Sequence, residues 1–342
     1  MRYISYDLII IAASLLLLCL SKSTFSATMI TSHHNPVYQH LYNEQSFSAH
    51  RLYDYGTPIE CFSAEELKST MRESYENRIN YFSIHLMYDF SFSDIGNIVR
   101  QAFEEIMAED DYLLFSYVSY RHEISGNEGD VIINYQVQYL TTHEQEEMVS
   151  ERVTEVLAEI ITDNMNYEEK EKQIHDWIVT HVAYDLSETN FSAYAALFLE
   201  STVCQGYALL THKMMNEALI TTRIIPGQAG GVNHAWNMVE LCGKWYHVDV
   251  TWDDPVPDIS DYVEYNYFNK SDSEIELTHT WDKEQYPSAP LAYEEGLCSN
   301  ISPPDDSEDN DQTTNPPADS SEENNEILDE NETVSACFIT AL

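Results

Sequence analysis

A thiol, an imidazole and a carboxylate fall in three short blocks of this chain, at Cys204, His234 and Asp249. Cys204 lies in Ser201-Thr202-Val203-Cys204-Gln205-Gly206-Tyr207-Ala208, and an amphipathic segment from Tyr207 to Leu219 follows at once. That order puts the thiol at the N-terminus of a helix, where free amide N–H groups and the helix dipole favour an anion. A cysteine so placed can ionise well below its free value of about 8.5. Beside an imidazolium, the resulting thiolate is an activated nucleophile for acyl transfer. The Cys204 backbone N–H could also supply one oxyanion donor. Taken alone, the segment fits a buried structural cysteine or half of a disulfide equally well.

Asn233 to Leu241 reads as a strand, Cys242-Gly243-Lys244 as a tight turn and Trp245 to Trp252 as the return strand, with Cys242-Gly243 taken as the two-residue hairpin turn. In that register Leu241 faces Lys244, His234 faces Thr251, and Asp249 points to the same face as His234. Such diagonal neighbours are roughly 7 Å apart at Cβ. Asp249 can then hold one ring nitrogen of His234 and aim the other at a thiol. A one-residue slip would separate the pair. Either residue alone is ordinary on a sheet or in a turn; the three together point to catalysis. Trp236, Tyr207 and Trp252 are candidate walls of a substrate cleft, with packing as the alternative.

The blocks Thr202 to Ala208, Asn233-His234-Ala235-Trp236-Asn237 and Trp245 to Pro255 resemble, in order and spacing, those of bacterial transglutaminase-like domains. Gly227 and Tyr267-Phe268 fit the same pattern. The resemblance is specific over about 165 to 285. It implies an α+β fold with a papain-like core, in which a Cys-bearing helix packs on an antiparallel sheet. It also implies Cys204, His234 and Asp249 as catalytic residues. A protein or peptide amide would be attacked to give a thioester, completed by water (peptidase or amidase) or by an amine (transamidation). Neither a metal nor any other cofactor is called for. A surface adhesion or scaffold module that kept the fold without the activity is the alternative.

The elements that must position these residues can be read from periodicity. Ser63-Ala64-Glu65-Glu66 reads as a capping box opening a helix, Tyr81 to Met87 as a strand, and Ile95 to Ile106 as one apolar helical face. Strands are expected over Leu113 to Ile124 and Val131 to Leu140, joined by a turn at Gly126-Asn127-Glu128-Gly129. Thr142-His143-Glu144-Gln145 caps a third helix that carries Val149, Val153, Val156, Leu157, Ile160 and Ile161 inward. A fourth runs from Tyr167 to Val182. This gives an N-terminal α+β region over 28–164, a catalytic core over 165–290 and an acidic tail over 300–342. Residues 28 to 60 show no clear periodicity, and His33-His34 reads as a flexible polar pair.

Composition sets the outer bounds. A hydrophobic fraction of 43% supports a packed core, and a formal net charge of -43 repels nucleic acid. Arg2 followed by the apolar run Leu8 to Leu20 and small residues to Ala27 reads as a secretory signal over 1–27. Its removal leaves no membrane span and a secreted or cell-surface protein. Five cysteines then remain: Cys61, Cys204, Cys242, Cys298 and Cys337. Oxidising conditions favour pairing, and an odd number leaves one over. From about residue 300 the Pro, Asp and Glu content predicts a solvated tail.

Overall fold

The computed structural model describes residues 27–35, 53–259 and 262–298. The expected signal segment apart from Ala27, the acidic tail and Cys337 lie outside the described residues.

The first half is built on strands β1 (Ala27–His34), β2 (Ile59–Cys61) and β3 (Tyr81–Leu86), with helix α1 (Ala64–Glu76) between β2 and β3. Helices α2 (Ile95–Glu109) and α3 (Asp111–Leu114) follow, then the hairpin β4 (Tyr117–Asn127) and β5 (Asp130–Tyr139). Ser63 caps α1 by accepting from the Glu66 N–H, but the Glu66 carboxylate accepts from Phe62 and not Ser63. The expected strand from Leu113 starts late because Asp110 accepts from the Leu113 N–H and starts the short α3 turn there. The five strands order as β1-β4-β5-β3-β2, antiparallel except for β3 with β2. Alternate residues Val131, Ile133, Tyr135 and Val137 of β5 are buried, and α1 and α2 cover them with Leu67, Met71, Phe103 and Ile106. Strand β1 runs through a stretch without periodicity because its pairing comes from β4, far along the chain, with Ala27 against Gly126 and His34 against Ser119. His33 there packs its ring on Phe103 and Tyr120, so it is part of the fold and not a flexible polar residue.

The second half begins with α4 (His143–Ile160) and α5 (Tyr167–His181), each opened by a complete capping box, at Thr142 with Gln145 and at Asn166 with Glu169. Then come β6 (Ala183–Tyr184), α6 (Ala193–Phe198), β7 (Ser201–Thr202) and α7 (Cys204–Glu217). Strands β8 (Thr222–Ala229), β9 (Val232–Leu241), β10 (Lys244–Val248), the short α8 (Asp272–Ile275) and β11 (His279–Trp281) complete it. The sheet order is β10-β9-β8-β11, antiparallel throughout. On one face Ile224, Val239, Leu241 and Val248 pack with α4 to α7; Val149, Val153 and Val156 of α4 join this core, although a sequence division at 164 groups α4 with the first half. On the other face Ile225, Trp236 and Met238 form a smaller cluster. The result is the α+β core expected, with the Cys204 helix against an antiparallel sheet. Asp111 joins the halves: its carboxylate accepts two bonds from the Arg223 guanidinium, at 2.7 and 3.1 Å, and one from the Ile224 N–H. Among the described residues no helix is long and apolar enough to cross a membrane.

Candidate functional site

The start of α7 is fixed from below. Val203 donates its N–H to the Asn190 carbonyl, and Thr202 donates its hydroxyl to the same oxygen, both at 2.9 Å. The loop carrying Asn190 is wound around the Asp185 carboxylate, which accepts the N–H groups of Ser187, Thr189 and Asn190. Burial opposes that charge, but these donors and the Ser187 hydroxyl hold the carboxyl well below the usual carboxylate range. Gly206 is required by the same packing, because a Cβ there would lie 1.9 Å from Thr202 Oγ1. Gln205 donates its amide to the Phe115 carbonyl at 3.0 Å. Gly206 and Tyr207 donate their N–H groups to the Val203 carbonyl, whereas those of Cys204 and Gln205 come too early for an acceptor within the helix. The half-buried Cys204 therefore sits among free donors, as its position in the sequence predicts.

His234 is held on β9 opposite Gly227 of β8. The β9–β10 hairpin has the expected register, Leu241 against Lys244. Cys242 and Gly243 both have positive φ, 51° and 80°, as a type I′ turn requires. The ladder nevertheless ends at Val248 against Asn237, so His234 never pairs with Thr251. After Val248 the chain turns, and the Asp249 carbonyl accepts the N–H groups of Trp252 and Asp253. The turn still delivers Asp249 to His234: Oδ2 accepts from His234 Nε2 at 2.7 Å. The same oxygen accepts from His279 Nε2 at 2.9 Å, and Oδ1 accepts from the Trp252 N–H at 3.2 Å. Thr278 Oγ1 lies 2.8 Å from His279 Nδ1 and can donate to it, which leaves Nε2–H for the carboxylate.

With Nε2 taken by Asp249, the other ring nitrogen of His234 is left for Cys204, whose side chain acts on the imidazole directly. Burial works against a charged imidazole here, but Asp249 and Cys204 outweigh it and raise His234 to about 10. Burial likewise opposes the Asp249 charge, and His234 and His279 together pull its carboxyl down to about 2. The His234 side chain is 6% exposed and Asp249 fully buried, so this relay is shielded everywhere except at the thiol end. His234, Asp249 and His279 offer donor atoms within 4.8 Å of one another, a spacing that by itself could hold a metal. The 2.7 and 2.9 Å contacts are direct hydrogen bonds, however, and a metal would have to displace both.

The three cleft candidates separate. Trp236 is 1% exposed, donates its indole N–H to His247 Nδ1 at 3.0 Å, and stacks behind His234. It is floor, not wall. Gly227 makes room for it, since a Cβ at that position would lie 2.7 Å from the indole and 2.2 Å from the Thr280 carbonyl oxygen. Tyr207 is equally buried, its hydroxyl bonded to the Val182 carbonyl and Asp254. Both are corrected to packing residues, because their polar tips find partners only inside. Trp252 alone of the three is part-exposed, with its ring 5.9 Å from that of His234.

Two neighbours escape sequence reasoning. His279 comes 30 residues after Asp249 on a three-residue strand with no periodicity to mark it. Tyr184, on β6 opposite Thr202, is half-buried beside Cys204; burial first, then the Cys204, Glu188 and Asp185 charges, push its phenol up to about 12. Of the other described cysteines, Cys242 and Cys298 form a disulfide, and Cys61 is buried and unpaired. The bridge leaves Cys204 as a free thiol, which removes the reading of Cys204 as half of a disulfide.

Residues 154–250 match the family model of the transglutaminase-like superfamily, a span that contains the helix-start thiol, the strand imidazole and the buried carboxylate. The chain carries a transglutaminase-like domain. The kyphoscoliosis peptidase of Homo sapiens is 31% identical to it over 122 residues, and that of Mus musculus 28% over 122 residues. Each match covers 30% of this chain and 18% of the peptidase, so the chain spans less than a fifth of those relatives' length. Among solved structures, a TGase shares 14% identity over 59% of this chain and 61% of its own, with a TM-score of 0.32. A chain from Cytophaga hutchinsonii, provisionally designated a cysteine protease, shares 18% over 42% and 61%, with a TM-score of 0.28.

Proposed function

We propose that the transglutaminase-like domain is a cysteine-dependent acyl-transfer enzyme that cleaves protein or peptide amides. The observation that carries this reading is the hydrogen-bonded His234–Asp249 pair, braced by His279, with its imidazole interacting with the Cys204 side chain at the start of α7. Cys204 gives its proton to His234, and its sulfur forms a bond to the amide carbonyl carbon. The carbonyl oxygen, now negative, is met by the free N–H groups at the start of α7. His234 returns the proton to the amide nitrogen as the C–N bond breaks and an amine leaves. Water then attacks the thioester; His234 takes one of its protons, the C–S bond breaks, and the proton passes back to sulfur. The same thioester would accept an amine in place of water. The peptidase name of the curated relatives supports hydrolysis. Asp249 fixes the His234 tautomer throughout, and Trp252 borders the entrance for substrate. The Cys242–Cys298 bridge supports a secreted or cell-surface location for this enzyme.

The test is peptide hydrolysis with wild type and Cys204→Ala, paired with iodoacetamide labelling of the intact chain. Hydrolysis lost in the variant, with labelling of the wild type concentrated on Cys204, supports the enzyme. Equal hydrolysis by both proteins, or labelling of Cys204 no faster than of an unfolded control peptide, favours a binding module instead.

A further inference from the structure

Asp254 has no part in the chemistry outlined above, yet it is 4% exposed and five residues beyond Asp249. Its Oδ2 is hydrogen-bonded to the Tyr207 hydroxyl. Its Oδ1 is shut off from solvent and has no hydrogen-bond partner among the described residues. The Tyr207 hydroxyl is also 2.9 Å from the Val182 carbonyl oxygen.

A phenol has one hydrogen, and a backbone carbonyl can only accept. If Asp254 were ionised, Tyr207 would have to serve two acceptors with one hydrogen, and a carboxylate oxygen would stand buried and unpaired beside it. We propose that Asp254 is a neutral carboxylic acid in the folded protein, its Oδ2–H donating to Tyr207, which donates in turn to Val182. Each hydrogen then has one acceptor. The unpaired Oδ1 becomes a neutral carbonyl oxygen, far less costly to bury than a charged one. The surroundings agree. Burial pushes the Asp254 carboxyl up to about 7; the Tyr207 bond opposes this weakly, and Asp258 of the following loop adds to it. Tyr184 reaches Tyr207 from β6, and burial keeps both phenols in their neutral form. No lysine or arginine pairs with Asp254 among the described residues.

Asp254 is thereby a positioning residue. Its hydrogen-bond chain ties the loop after Asp249 to the first turn of α7, one turn beyond Cys204, and to the residue that precedes β6. Ionisation would turn one of those bonds into a repulsion and set a second negative charge under the helix start. The protonation state itself does not depend on Cys204 being a nucleophile.

The test is infrared spectroscopy of the intact chain between roughly pH 5 and 9, comparing wild type with Asp254→Asn. Glu171, another buried carboxyl pushed up to about 8, contributes to both spectra and cancels in the difference. The expected result is a protonated-carboxyl band present in wild type, missing from the variant, and fading with a midpoint near 7. A difference spectrum with no such band at the acidic end overturns the proposal. Should Asp254→Asn fail to fold, Tyr207→Phe decides: removing the acceptor of the acid hydrogen must shift the wild-type band, and an unshifted band overturns it. Cys204 alkylation followed over the same range should show an inflection near 7 in wild type that Asp254→Asn lacks, and the same inflection in both counts against the positioning role. Because the infrared band does not involve catalysis, its outcome stands apart from that of the hydrolysis assay.

Discussion

The two halves of the molecule solve the problem of burial differently. The core between α1, α2 and the five-stranded sheet is apolar and aromatic: Phe82 stacks on Tyr135 with centroids 4.5 Å apart, and Phe103 meets Tyr75, Tyr117 and Tyr120. Its buried imidazole, His122, is kept uncharged, with burial pulling it down to about 4. Around the four-stranded sheet, by contrast, Glu171, His175, His247, Asp249, Asp253 and His279 have no exposed surface at all. Burying such groups costs several kcal/mol each unless they are paired, and nearly all of these are: His175 with Asp253 at 3.2 Å, His247 with Asp272 at 3.0 Å, Asp249 with two histidines. A region built for packing alone has no reason to carry that load. The contrast puts most of the fully buried ionisable groups in the half that carries the candidate site.

The strongest way to break this comparison is through the relay. Cys204→Ala is expected to lower peptide hydrolysis by about 10⁴-fold or more with little change in stability, read from steady-state rates beside a denaturation curve. Asp249→Asn should cost roughly 10³–10⁴-fold in kcat through the wrong His234 tautomer. A fall of less than tenfold would reduce Asp249 to a packing role. The opposite signature is expected from Phe82→Ala in the first half: a stability loss of about 3–5 kcal/mol in denaturant, with the rate per folded molecule unchanged. If that variant lost its catalytic rate while folded, the halves would be coupled and the comparison too sharp. Opening the Cys242–Cys298 bridge with serines at both positions should cost about 2–4 kcal/mol, measured by unfolding under matched redox conditions.

The smallest effect is a slope. His234 is raised in the folded protein from 6.5 to about 10, so its contribution to stability is complete below 6.5 and is lost as pH rises through about 10. Asp249 is lowered from 3.8 to about 2, so its contribution is present above 3.8 and is lost as pH falls through about 2. The unfolding midpoint of wild type should decline between pH 6.5 and 10, and His234→Gln should flatten that decline. An identical decline in both proteins would place the alkaline sensitivity elsewhere.

Much of this arrangement was legible in the chain because it is local. The Thr142 box, the helix beginning at Cys204 and the Cys242-Gly243 turn each depend on residues within a few positions of one another, where side-chain type directly sets backbone geometry. The thiol, imidazole and carboxylate could be picked out for the same reason: each sits at the end of an element that the sequence marks. What the sequence could not decide was everything set by partners far along the chain. Strand β1 exists because β4 pairs with it. Trp236 and Tyr207 are buried because His247, Val182 and Asp254 receive their polar tips. His279 reaches Asp249 because β11 closes the sheet against β8. Hydrogen bonds and burial between distant segments follow from how the layers stack, and no local pattern encodes that stacking.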